Sequence, residues 1–69
     1  MNYVIIEMQT TNGTTAVVTP ASYSDAITAE AAFLQKCVYA RQSGLDTHSV
    51  TLLNQNGQIV ARKCYEGRT

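Results

Sequence analysis

The sequence predicts an α+β fold in which two β-hairpins flank one helix, in the order β-β-α-β-β, and three observations carry that prediction. An Asn-Gly pair at 12–13 separates two β-branched runs. After Ser24 the apolar period changes from two residues to about 3.6. A second Asn-Gly pair, at 56–57, separates two further β-rich runs.

Tyr3 to Thr11 reads as the first strand and Thr14 to Thr19 as the second. Asn12 and Gly13 supply the two positive-φ residues of a type I′ turn, a register that sets Met8 opposite Val17 and Ile6 opposite Thr19. Pro20 donates no ladder hydrogen bond, so the second strand ends there or lies at a sheet edge. The helix is expected from about Asp25 to Ser43, with Ile27, Ala31, Leu34 and Val38 as its main apolar stripe. Ser24 or Asp25 is placed to cap its start, and Gly44 to end it in a left-handed conformation. Ser49 to Asn54 and Gln58 to Tyr65 form the closing hairpin, with a second type I′ turn at Asn56-Gly57. Its register pairs Leu53 with Val60, Leu52 with Ala61, Thr51 with Arg62, Val50 with Lys63 and Ser49 with Cys64. The expected architecture is one domain over residues 1–69, a helix packed on a four-stranded, mainly antiparallel sheet.

A chain of 69 residues buries only about 60% of the surface its unfolded form exposes, so its core is small and an oligomer or a staple is expected. Five Lys and Arg against five Asp and Glu exclude a general electrostatic grip on nucleic-acid backbones or anionic lipid. The apolar opening run stops at Glu7, too short for a signal-peptide core or a membrane span, which leads us to expect a cytoplasmic protein. Cys37 and Cys64 read as free thiols of a reducing compartment. The other reading is a bridge between them, which would add roughly 3.5 kcal/mol in the chain-entropy model.

One helix covers one face of a sheet, so the strands of a monomer should alternate apolar with polar residues. Here they do not. Val4, Ile6 and Met8 define one face of the first strand, while Tyr3 and Ile5 lie on the other; Val17-Val18, Leu52-Leu53 and Ile59-Val60 are adjacent apolar pairs. The apolar arc of the helix is also wide, roughly 200°, taking in Ala26, Ala29, Phe33 and Cys37. Self-association through a sheet face, a sheet edge or a helix flank is expected, with a homodimer as its commonest form.

Five residues stand out as candidate ligand contacts: Glu30, Arg41, His48, Arg62 and Tyr65. Glu30 and Arg41 fall inside the apolar arc, where a charge needs a partner or a place at the boundary. The plainer account is that each snorkels, Glu30 near the helix start and Arg41 near its end, where the macrodipole favours them. His48 is the single histidine; as a base it would need Cys37, Cys64, Ser49, Asp46 or Glu66 close by, and a hydrogen-bonding role is the commoner one. Cys64 reads as a small strand residue beside Tyr65. Arginines at 41, 62 and 68 with Lys63 supply phosphate contacts in such a site, and a tyrosine supplies stacking. With three candidate ligands and no CxxC pair, a structural zinc site is not expected, and no Walker-type loop, GxGxxG, GxSxG or HExxH occurs, so neither a metal nor a cofactor is expected.

The opening Tyr3-Val4-Ile5-Ile6-Glu7-Met8-Gln9, Ala29-Glu30 followed by Phe33, His48-Ser49, Leu52-Leu53, Gly57 and Cys64-Tyr65 resemble a group of very short proteins encoded by phages and mobile elements of gut bacteria. Relatives in that group often carry a run of alanines late in the helix, where this chain has Cys37-Val38-Tyr39-Ala40-Arg41. The resemblance implies source and fold more than chemistry. By analogy with small phage proteins that sequester nucleotide signals of bacterial immunity, a non-enzymatic homo-oligomer is expected, holding a small polar ligand between subunits in the host cytoplasm. The alternative is a protein-interaction module that inhibits or recruits a host protein through a sheet edge or apolar face.

Overall fold

Asn12 and Gly13 adopt φ of 53° and 80°, the left-handed region that a two-residue hairpin loop requires and that Asn and Gly tolerate best. They join β1 (Tyr3–Thr11) to β2 (Thr14–Val17), with Thr11 opposite Thr14 and Met8 opposite Val17. In the computed structural model, which describes residues 1–66, the ladder then breaks. The expected Ile6–Thr19 pair does not form: β2 stops at Val17, and Val18 N–H makes a last bond of 2.9 Å to Glu7 O. Pro20 has no N–H to continue it. The chain rejoins β1 one residue out of step as β3 (Ala21–Tyr23), with Ile5 opposite Ala21 and Tyr3 opposite Tyr23. The sheet therefore has five strands rather than four, in the order β2-β1-β4-β5 with β3 also beside β1.

Asp25 is the helix cap. Its Oδ2 accepts from Thr28 N–H at 2.8 Å and from the Thr28 hydroxyl at 3.0 Å, and these bonds hold its carboxyl below the ordinary value of 3.8. The helix, α1, spans Ala26–Gln42. It ends at Ser43, and Gly44 follows with φ of 70°, the conformation that lets the chain turn away at the lowest steric cost.

The closing hairpin joins β4 (Thr47–Asn54) to β5 (Ile59–Tyr65) by a different turn from the one expected. Asn54 Oδ1 accepts from the N–H groups of both Asn56 and Gln58, at 2.9 and 3.1 Å, Gly57 N–H reaches Asn54 O, and Asn54 N–H reaches Gln58 O. Gly57, at φ of 81°, is the one left-handed residue of this loop. This is a three-residue loop whose Asn54 side chain pulls the turn one residue toward β4. Leu53 consequently faces Ile59 instead of Val60, and a bulge between Leu52 and Leu53 absorbs the extra residue. Beyond it the expected register holds, with Leu52 opposite Ala61, Thr51 opposite Arg62 and Ser49 opposite Cys64.

The helix lies mainly over β4. Ile5, Val50 and Leu52 meet Ala29, Phe33, Cys37 and Ala40 in the core, with Tyr3, Tyr23, Ala32, Ala61 and Tyr65 packed around it. The expected helix stripe is thereby corrected. Ile27, Leu34 and Val38 are 80%, 57% and 49% exposed, while the neighbouring stripe at Ala29, Phe33, Cys37 and Ala40 is buried. The physical reason is closeness: three small side chains let the helix approach the sheet, and Phe33 fills what remains. Periodicity could not choose between two apolar stripes on one helix.

Register and alternation assign the other sheet face. Val4, Ile6 and Met8 from β1 lie beside Ser49, Thr51 and Leu53 from β4, with Val17 on one side and Arg62 and Cys64 on the other. No element of the chain covers this face among the described residues.

Candidate functional site

Glu7 and His48 occupy the helix-covered face, one on each central strand, because they share the parity of Ile5 and Val50. His48 is only 4% exposed. Its Nε2 stands 3.0 Å from Glu7 Oε2, its Nδ1 stands 3.2 Å from Ser43 Oγ, and Lys36 Nζ donates to Glu7 Oε1 at 3.0 Å. Burial pushes the Glu7 carboxyl up, but the hydrogen bonds from His48 and Lys36, with their charges, outweigh it and hold Glu7 below its ordinary 4.5. An ionised carboxylate only accepts, so Nε2 carries a proton.

Ser43 has one hydroxyl proton and two acceptors. Its Oγ is 2.9 Å from Ala40 O, the helix-end carbonyl, as well as close to Nδ1. If the proton goes to Ala40 O, Nδ1 must itself donate and the ring is cationic; if it goes to Nδ1, the ring is neutral. The helix end and the charge of His48 are therefore linked through one hydroxyl.

A groove of about 380 Å³ opens beside this network, between the second half of α1 and the end of β5, lined by Leu34, Cys37, Val38, Arg41, Gln42 and Tyr65. Tyr65 is the strand partner of His48. The Arg41 guanidinium carbon lies 6.0 Å from the centre of the Tyr65 ring, within reach of a cation–π contact. Lys36 and His48 both pair with Glu7, and Arg41 takes part in neither contact. Burial raises the Cys37 thiol above its ordinary 9.0, with a hydrogen bond to Tyr65 and the charge of Lys63 offsetting part of the effect. Cys37 is thus an apolar wall of the groove rather than a thiolate.

Of the five residues singled out from sequence, Arg41 and Tyr65 meet in this groove. Glu30 is exposed on the same helix flank, eleven residues earlier and so about 16 Å along the axis. Arg62 faces Thr51 on the opposite side of the sheet. His48 sits beneath the helix, held by Glu7 and Ser43, neither of which sequence reasoning gave it. The signal for Glu7 was its parity: a carboxylate sharing the side of Tyr3 and Ile5. Cys37 and Cys64 are both free, one buried under the helix and one exposed on the uncovered face, so the bridge is not made. Arg68 lies outside the described residues.

No three His, Cys, Asp or Glu side chains cluster as metal ligands among the described residues, and no helix there is long and apolar enough to cross a membrane. Compared with family models, with characterised proteins and with solved structures, the chain matches none.

Proposed function

We propose that this chain is a non-enzymatic, homo-oligomeric binding protein of the phage accessory type, whose groove between α1 and β5 takes a small organic anion. The observation that carries this reading is Arg41 poised over the Tyr65 ring at the end of an apolar groove. Such a groove offers one cation, one aromatic ring and the Gln42 amide. That set suits a ligand with one anionic group and a flat or apolar body, such as a cyclic nucleotide monophosphate, better than a polyphosphate, which needs several cations. Sequestration of a nucleotide signal in the host cytoplasm is the role that fits a chain resembling short phage and mobile-element proteins. The buried, fully engaged His48 and the location of Cys64 across the sheet favour binding over hydrolysis.

Calorimetric titration against a panel of cyclic nucleotides tests the reading. Arg41→Ala should weaken binding by roughly 10- to 100-fold, the worth of a charge-assisted hydrogen bond, and Tyr65→Leu should weaken it too. Glu30→Ala and Arg62→Ala should leave it unchanged. Absence of heat and of thermal shift across the panel would overturn it.

A second reading, a module that docks a host protein, is favoured by one observation. The exposed Ile27, Leu34 and Val38 stripe runs into the groove, to which Leu34 and Val38 both contribute. Capture of a host protein that Leu34→Lys abolishes and Arg41→Ala leaves intact would favour that reading over the ligand.

A further inference from the structure

We infer that the uncovered sheet face is where two copies of this chain close on each other, sheet against sheet, burying Val4, Ile6, Met8, Val17, Leu53 and Ile59 in one shared core. The inference is independent of the ligand reading, because the groove lies on the opposite, helix-bearing side.

Composition gives the first reason. An antiparallel sheet covered on one face normally presents polar residues on the other. Here β1 puts three consecutive apolar side chains, Val4, Ile6 and Met8, on the open face, and β4 opposes them with Leu53, Thr51 and Ser49. Charge gives the second. Arg62 is the one charged residue that the strand pairings assign to this face. It stands exposed on the edge strand β5, a position from which a long arginine can keep its guanidinium in water at the rim of a covered face. A partner rich in acids would find one cation to meet; a second copy brings the same apolar patch of Val4, Ile6, Met8, Val17, Leu53 and Ile59 to lie against it.

Size gives the third. A stable interface takes about 800 Å² from each partner, about a sixth of the 4565 Å² this chain exposes. Four strand positions about 4.8 Å apart, with strands about seven residues long at 3.3 Å per residue, make a footprint of about 19 by 23 Å, a projected area of about 440 Å² to which side chains standing off the sheet add accessible surface. Two such faces pack about 10 Å apart with their strands roughly 30° off parallel. The two-fold operation is self-complementary and closes at two copies.

Sedimentation equilibrium and light scattering on the full chain test this. The wild type should weigh twice the 7.5 kDa of one chain. Met8→Lys and Val17→Lys should weigh 7.5 kDa while keeping their far-ultraviolet circular dichroism, because both side chains are exposed in the isolated chain. Leu34→Lys, on the helix, should remain a pair. In mixed isotope-labelled wild-type samples, intermolecular NOEs should join the methyls of Ile6, Val17 and Leu53, a readout that needs no variant to fold. A single-chain mass at millimolar concentration, or intermolecular NOEs confined to Leu34 and Val38, would overturn the inference. Arg41→Ala should leave the mass unchanged, so loss of ligand and loss of pairing are separable.

Discussion

His48 Nε2 lies 3.0 Å from Glu7 Oε2 across the two central strands, under the helix and with Lys36 on the other carboxylate oxygen. This contact ties β1, β4 and α1 together by polar chemistry in a core otherwise made of small and branched apolar groups.

Replacing His48 with Leu leaves Glu7 and Ser43 without their ring partner. Ser43 is exposed and Glu7 keeps Lys36, so the expected loss is about 1–2 kcal/mol, from the part-buried Glu7 oxygen that loses its donor, measured as a fall in the urea midpoint. An unchanged midpoint would mean that the network adds nothing net.

Acid should destabilise the fold through the same group. Glu7 titrates below 4.5 when folded, so at pH values between its folded and unfolded pKa the unfolded chain binds more protons. Its contribution is complete above 4.5 and is lost as pH falls through the folded value. Thermal melts between about pH 6 and pH 3 should show Tm falling over that range, and the fall should shrink in Glu7→Gln. Asp25, held below 3.8, acts in the same direction at lower pH, so a residual acid limb should persist.

The two helix stripes are separated by a pair of neighbouring substitutions. Phe33→Ala should cost about 3–5 kcal/mol, enough to leave so small a domain largely unfolded. Leu34→Ala should change stability by no more than about 0.5 kcal/mol. Chemical denaturation of both variants checks this, and the reverse ranking would assign the core to the outer stripe.

Gly57→Ala isolates backbone strain, because an added Cβ would meet nothing within 4 Å while φ is +81°. A loss of about 1 kcal/mol is expected from conformation alone. Asn54→Ala removes the acceptor of two loop N–H groups and should also lower stability, seen in the same melts.

What sequence made legible was local. Asn12-Gly13 marked the first turn, and Asp25 and Gly44 bounded the helix because capping and left-handed φ are properties of single residues. The pairing of Leu52 with Ala61 agrees with the count from a two-residue turn only because the bulge beside Leu53 restores the offset that the three-residue loop introduces. What stayed hidden depended on competition between neighbours. Asn54 displaced the second turn by capturing two N–H groups, a choice a dipeptide signal does not contain. The inner stripe won because Ala29, Cys37 and Ala40 are small, whereas apolar weighting favours Ile27 and Leu34. The Glu7–His48 contact joins residues far apart in the chain, so it needed the β1–β4 pairing, which strand signals alone do not fix. Glu30 and Arg41 stand out in sequence by their place in the apolar arc and His48, Arg62 and Tyr65 by residue type, and of the five only Arg41 and Tyr65 share a wall.

Both outer strands are flawed as templates. On one side the edge is interrupted at Pro20 between β2 and β3, and on the other β5 carries the bulge beside Leu53. A neighbouring chain trying to add itself laterally would find only short straight runs of N–H and C=O groups to copy, β2 and β3 on one side and Ala61 to Tyr65 on the other. Growth of the sheet into ribbons is thereby hindered at each flank, and the pairing inferred above, face to face, is left as the way for two copies to bury apolar surface without extending the sheet.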